Sequence, residues 1–168
     1  MAVVLPQGAL FRGGVEGDIR RFLLKKDLVE AVIGLAPNLF YGTGLAACVL
    51  IMRRRKPTKR ARKVLVIDAS SLFRKGRAQN FLEPEQAAEI LKWVEGFKDV
   101  PDRARVIGLP EIEKEGWTLN ISRYVVPPIG EAIPPLPQAI AEMRQALTRC
   151  REAEDHLRRV MKEGGWLS

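Results

Sequence analysis

Phe40 and Tyr41 are side by side in a short polar turn between two apolar, β-branched-rich runs, residues 28–35 and 45–52. Apolar runs of this length, bounded by Pro and Gly, read as buried strands. Large rings on the connection between two buried strands are badly placed for a core. They are well placed to meet a flat ligand by stacking, which makes this turn the first candidate site. The competing reading is a loop aromatic folded back on the core.

A second group of residues is suited to binding polyanions. Eight basic residues and no acidic ones fall between positions 53 and 63: Arg53, Arg54, Arg55, Lys56, Lys59, Arg60, Arg62 and Lys63. The other 20 Lys and Arg equal the 20 Asp and Glu, so this one connection carries the whole net charge of +8. A loop of this kind neutralises phosphates, and its attraction weakens with salt. A solvated hairpin tip is the plainer alternative. A smaller basic loop, SSLFRKGRAQN at 70–80, adds Arg74, Lys75 and Arg77.

These residues need elements to hold them. Residues 2–5 read as a short buried strand ended by Pro6, and a glycine-rich loop leads into a helix over about 16–26. Ile19, Phe22 and Leu23 give that helix an apolar face, and Lys25 and Lys26 suit its C-terminal dipole. Strands at 28–35, 45–53 and 63–68 follow. Glu83-Pro84-Glu85 opens a helix over about 84–97, with Ala87, Ile90, Leu91 and Val94 expected in the core. A short strand, ARVIGL, and a loop carrying Trp117, Asn120, Arg123 and Tyr124 complete a domain spanning 1–125. Five prolines between positions 125 and 137 exclude both helix and central strand, so residues 126–137 read as a linker.

The last segment, 138–163, is a helix of a different kind. Ile140, Met143, Leu147, Cys150, Leu157 and Met161 recur at intervals of three and four, with Glu154 the one interruption. Ala139, Ala146, Ala153 and Val160 widen the seam. Such a stripe must be buried against something. With no second heptad segment in the chain, an intermolecular helix is the expected partner; packing back on its own domain is the alternative. His156, the single histidine, lies among charged residues and is expected to be solvated.

Several functional classes are excluded by pattern. No run of about 18 uncharged apolar residues exists to span a bilayer, and the start MAVVLPQG lacks the regions of a signal peptide. Cys48 and Cys150 form no metal spacing and read as two buried thiols of a reducing, cytoplasmic setting. There is no GxSxG, P-loop or HExxH and no histidine placed to serve a nucleophile. FRGGVEG precedes a helix but fits neither the Walker nor the dinucleotide spacing.

Four blocks in order, VVLPQGALFRGG, DLVEAVIGLAPNLFYGTGLAACVLIM, KVLVIDASSLFRKGRAQNFL and TLNISRYV, resemble the C-terminal half of the modification subunit of type I restriction-modification systems. Those subunits are adenine-specific N6 DNA methyltransferases. The resemblance covers nearly the whole chain. It implies an α/β fold: the C-terminal portion of a Rossmann-like class I methyltransferase sheet, ending in an antiparallel hairpin and followed by the heptad-patterned helix. Related adenine methyltransferases stack the flipped adenine on an aromatic before the last strand of this hairpin. Phe40 holds the matching place and Tyr41 the neighbouring one. An aromatic face returns about 1–3 kcal/mol of the stacking lost on base extrusion.

The family's glycine-rich S-adenosylmethionine loop, of the D-P-A-C-G-T-G type, and its Asn/Asp-Pro-Pro-aromatic tetrapeptide do not occur in the sequence. The resemblance therefore implies no catalytic residue in this chain and no S-adenosylmethionine binding by it alone. The chain reads as part of a split or truncated subunit, inactive by itself. Its partners would be DNA, the specificity and restriction subunits, and either a complementing N-terminal half or a second copy pairing along the strand at 2–5. The heptad seam would dock the specificity subunit. The two basic loops would contact the DNA backbone. A non-catalytic adaptor and a folded relic of a broken gene are the alternative functions.

Overall fold

The computed structural model describes residues 1–126 and 135–166, which form two bodies, each considered by itself. The first is a mixed α/β domain around one five-stranded sheet. Its strands are β1 (Ala2–Pro6), β2 (Val29–Leu35), β3 (Ala47–Met52), β4 (Lys63–Ala69) and β7 (Ala104–Gly108), in the order β1-β3-β2-β4-β7. Only β2 and β4 run parallel; β1–β3, β2–β3 and β4–β7 are antiparallel. The expected antiparallel pairing of the two apolar runs is therefore present, with Ile33 opposite Val49 and Val32 opposite Leu50.

β2 and β4 lie in the middle because their sequences are apolar on both faces. Every β2 residue is buried, and Val64, Leu65, Val66 and Ile67 of β4 are fully shielded. Burial of each such side chain contributes about 1.5–3 kcal/mol. One face of the sheet carries Val32, Leu50, Val66 and Ile107, covered by Leu24 of α1 (Gly14–Lys25) and Ile112 of α3 (Leu109–Lys114). The other carries Ile33, Leu65 and Ile67, covered by Ile90 of α2 (Pro84–Gly96).

Several expectations are corrected. β1 is an edge strand of alternating exposed and half-buried residues, with Val4 exposed. On α1, Ile19 and Phe22 are exposed and Leu23 is half-buried against the core, while Arg20 and Leu24 are the buried residues. Arg20 can do so because its guanidinium donates to the carbonyls of Ala9, Arg12 and Trp117 at 2.9–3.0 Å, stapling the loops on either side. On α2, Ala87 and Leu91 are exposed; the packed face is Ile90, Trp93, Val94 and Phe97. The helix register is set by its start, where Glu83 and Gln86 form a reciprocal capping box before Pro84. The β3 strand begins at Ala47, leaving Leu45 exposed. α3 goes unseen in the sequence because six residues show too little periodicity.

The second body is one 28-residue helix, α4 (Leu136–Glu163), which starts inside the expected linker with Pro137 in its first turn. The rest of that linker, residues 127–134, lies outside the described residues. Ile140, Met143, Leu147 and Leu157 are exposed along the helix, Met161 is half-buried, and His156 is solvated as expected. Cys150 is exposed, which corrects the reading of two buried thiols; Cys48 is buried, and burial raises its thiol pKa to about 11. No described helix is long and apolar enough to cross a membrane.

Candidate functional site

The two basic segments lie at opposite ends of the sheet. Register pairs Leu35 with Ala69 and Pro6 with Ala47, which puts the β2–β3 connection and the chain after β4 at one end. Val29 pairs with Met52, so the 53–62 connection leaves from the other end. The separation is roughly 20 Å, the length of β2 at about 3.3 Å per residue.

At the first end, the β2–β3 connection turns sharply at Asn38, whose φ of 57° is a left-handed conformation that Asn tolerates well. Leu39 packs into the core beneath. Phe40 is then 40% exposed and Tyr41 97% exposed. The reading of a loop aromatic folded onto the core thus fails for Tyr41 and holds only in part for Phe40. The Phe40 ring borders a hollow of about 200 Å³ against Val4, Pro6, Thr43, Leu45 and Ala47.

The expected basic loop at 70–80 is instead a small hairpin, β5 (Arg74–Lys75) paired with β6 (Asn80–Phe81). Its turn needs Gly76: a Cβ there would come within 2.4 Å of the Gln79 carbonyl oxygen and 2.5 Å of the Phe81 ring. Arg74 stacks over Phe81, 4.6 Å from the ring centroid, and its Nε donates to Glu83 at the α2 N-terminus. Lys75 and Arg77 remain exposed. The hairpin is tied to the aromatic loop. The Asn80 backbone N–H donates to the Asn38 carbonyl at 2.8 Å, Asn80 Nδ2 to the Pro37 carbonyl at 2.8 Å, and Asn38 Nδ2 to the Ala78 carbonyl at 3.2 Å. Sequence reasoning missed both asparagines. A positive-φ Asn in a turn is a recognisable signal; its partner 42 positions away is not.

At the far end, three of the eight basic residues are used internally. Glu30, 2% exposed on β2, accepts from Arg53 Nε at 2.6 Å and Arg60 Nη1 at 3.0 Å. Arg60 also donates to the Glu95 carbonyl and lies over Phe97. Lys56, its side chain 2% exposed, pairs with Asp27 at 2.5 Å, and Asp27 also accepts the Arg62 backbone N–H. Burial pushes the Glu30 carboxyl up, but the hydrogen bonds and charges of Arg53 and Arg60 outweigh it and leave its pKa below the ordinary value. Arg54, Arg55, Lys59, Arg62 and Lys63 keep exposed side chains.

A hollow of about 360 Å³ between α1 and the sheet is mainly apolar, walled by Leu5, Leu10, Ile19, Leu23 and Leu50. Its polar residues are Arg12, Glu16 and Arg20. Arg12 and Glu16 pair with each other, and Arg20 is taken up by backbone carbonyls. S-adenosylmethionine requires free acceptors for its ribose hydroxyls and ammonium group. The one carboxylate of this hollow, Glu16, is paired with Arg12, so its lining carries no unpaired acidic side chain for those groups; no metal-binding cluster occurs among the described residues.

The fold matches that of DNA methyltransferases. A solved type I restriction-modification methyltransferase subunit from Streptococcus thermophilus superposes with a TM-score of 0.70 at 38% identity, covering 74% of this chain and 26% of that one. The EcoKI M protein matches in fold at a TM-score of 0.59 and 20% identity, over 93% of this chain and 40% of that one. The chain belongs to the family described as N-6 DNA Methylase, whose pattern covers residues 1–131. Among curated relatives, the MjaVII methylase subunit of the type I restriction enzyme from Methanocaldococcus jannaschii is 41% identical over 130 residues. That match takes in 76% of this chain and 22% of the relative, so the chain spans about a fifth of its length.

Proposed function

We propose that this chain supplies the target-base loop, and the backbone contacts beside it, of a type I N6-adenine DNA methyltransferase assembly. The observation that carries this reading is the aromatic loop between β2 and β3: exposed rings at Phe40 and Tyr41, a hollow beside Phe40, and a basic hairpin fastened alongside. The sheet is then the closing portion of a Rossmann-like methyltransferase sheet. An adenine extruded from the duplex stacks on Phe40, with Tyr41 adjacent, while Lys75 and Arg77 hold flanking phosphates. Arg74, already paired with Glu83, contributes charge more than contact. The far loop, with Arg54, Arg55, Lys59, Arg62 and Lys63, touches backbone away from the target. Arg53, Lys56 and Arg60 hold that loop in place.

In this reading the methyl donor site and the groups that polarise the target amine come from other residues of the assembly, so the 168-residue chain does not methylate DNA alone. The stripe Ile140, Met143, Leu147, Cys150, Leu157 and Met161 on α4, exposed but for the half-buried Met161, serves subunit docking, for which a specificity subunit is the proposed partner. Solved relatives include a structure describing complex assembly of the type I system, matched in fold at a TM-score of 0.57.

The test uses duplexes with and without a single bulged adenine. The chain binds the bulged duplex more tightly, and Phe40→Ala reduces that preference about tenfold, the equivalent of lost base stacking. Equal affinity for both duplexes, or a preference untouched by Phe40→Ala, sinks the reading. Calorimetric titration of S-adenosylmethionine into the chain shows no tight binding; a tight isotherm overturns the division of labour.

A further inference from the structure

We propose that Asn38 and Asn80 are positioning residues that couple the basic hairpin to the aromatic loop, so that phosphate and base are gripped in one fixed relation. The inference rests on the target-base reading above and adds how the loop is held.

The aromatic loop has few anchors of its own. Past Leu39 its internal bonds are a 3.4 Å contact from the Thr43 N–H to the Phe40 carbonyl and a 3.1 Å bond from the Leu45 N–H to the Thr43 hydroxyl. Such a loop loses conformational entropy each time its rings must meet a base. The Asn38–Asn80 contact offsets that cost before binding. It spends two side-chain amides and one backbone amide on carbonyls of the facing segment, at 2.8–3.2 Å. It sits two residues before Phe40 on one side and three after Arg77 on the other. The hairpin in turn is held from behind, by Arg74 on Glu83 and on the Phe81 ring. A phosphate drawn to Lys75 or Arg77 is therefore placed at a set distance from Phe40. The bond geometry is selective: Asn80 must donate through Nδ2 while its backbone N–H donates elsewhere, and Asn38 must hold positive φ.

Asn38→Gly keeps the left-handed turn and deletes the side-chain donor while adding backbone freedom; Asn80→Ala deletes the other side-chain donor without that change. Two measurements on the full chain separate the outcomes. Amide hydrogen exchange at position 80, whose N–H donates to the Asn38 carbonyl, becomes at least about tenfold faster in each variant, while β2 and β4 keep their protection. The preference for a bulged-adenine duplex over a plain one falls about tenfold, with plain-duplex affinity unchanged. If exchange at position 80 does not change, the coupling is absent and the inference fails whatever the DNA result. If exchange quickens but the preference holds, the asparagines are structural only and the positioning role is overturned. If neither these variants nor Phe40→Ala alter the preference, the base-stacking reading itself fails.

Discussion

Glu30→Gln lowers the stability of the sheet domain by about 2–3 kcal/mol at pH 7 and its melting temperature by roughly 10 °C. The carboxylate is buried and holds two guanidiniums, so the substitution leaves Arg53 and Arg60 facing a neutral amide. Breaking a buried pair by removing one partner costs about 3–5 kcal/mol. The side chains of Arg53 and Arg60 are 52% and 22% exposed, so water recovers part of that and the lower range applies. The effect has a definite pH signature. Because the folded pKa of Glu30 lies below the ordinary 4.5, its contribution is fully present above that value and is lost as pH falls through the folded one. The gap between wild type and Glu30→Gln therefore closes as pH drops below about 4.5. Thermal melts from pH 7 to pH 3 decide it. An unchanged melting temperature at pH 7, or a gap that does not begin to narrow as pH falls below 4.5, contradicts the assignment.

Lys75→Ala/Arg77→Ala lowers DNA affinity about tenfold at 50 mM salt and reduces the slope of log K against log salt by nearly two. Each phosphate contact contributes about 0.9 to that slope on a duplex. These side chains are exposed and take part in none of the hairpin's anchoring bonds, so stability is unaffected. The control is the same pair of charges removed from the far end, Arg54→Ala/Arg55→Ala. It flattens the slope too, but leaves the bulged-adenine preference intact because that loop lies roughly 20 Å from Phe40. Fluorescence anisotropy over a salt series separates the two. Equal loss of bulge preference in both double variants would refute the assignment of the hairpin to the target side.

In residues 53–63 a count of charges makes all eight cations look alike. Three of them answer to carboxylates at positions 27 and 30, which the chain reaches only when β2, β3 and β4 align. In the same way, Ile19 and Phe22 read as core residues of α1 yet stay exposed, while Arg20 is buried because it finds three backbone carbonyls to satisfy its guanidinium. Helical periodicity identifies a stripe; which stripe is buried depends on what opposes it.

Phe40 and Tyr41 show the other side. Two apolar runs, the Pro and Gly that bound them and two rings between are local features, so the sequence alone determined a pair of core strands with aromatics on their connection. Side-chain period and turn chemistry act over a few residues and need no tertiary partner to be recognised. The tertiary structure alone decided which basic segment stands beside those rings. Strand direction sends the 53–62 connection to the opposite end of the sheet, and the bonds between Asn38 and Asn80 bring the smaller hairpin, not the larger cluster, to the aromatic loop.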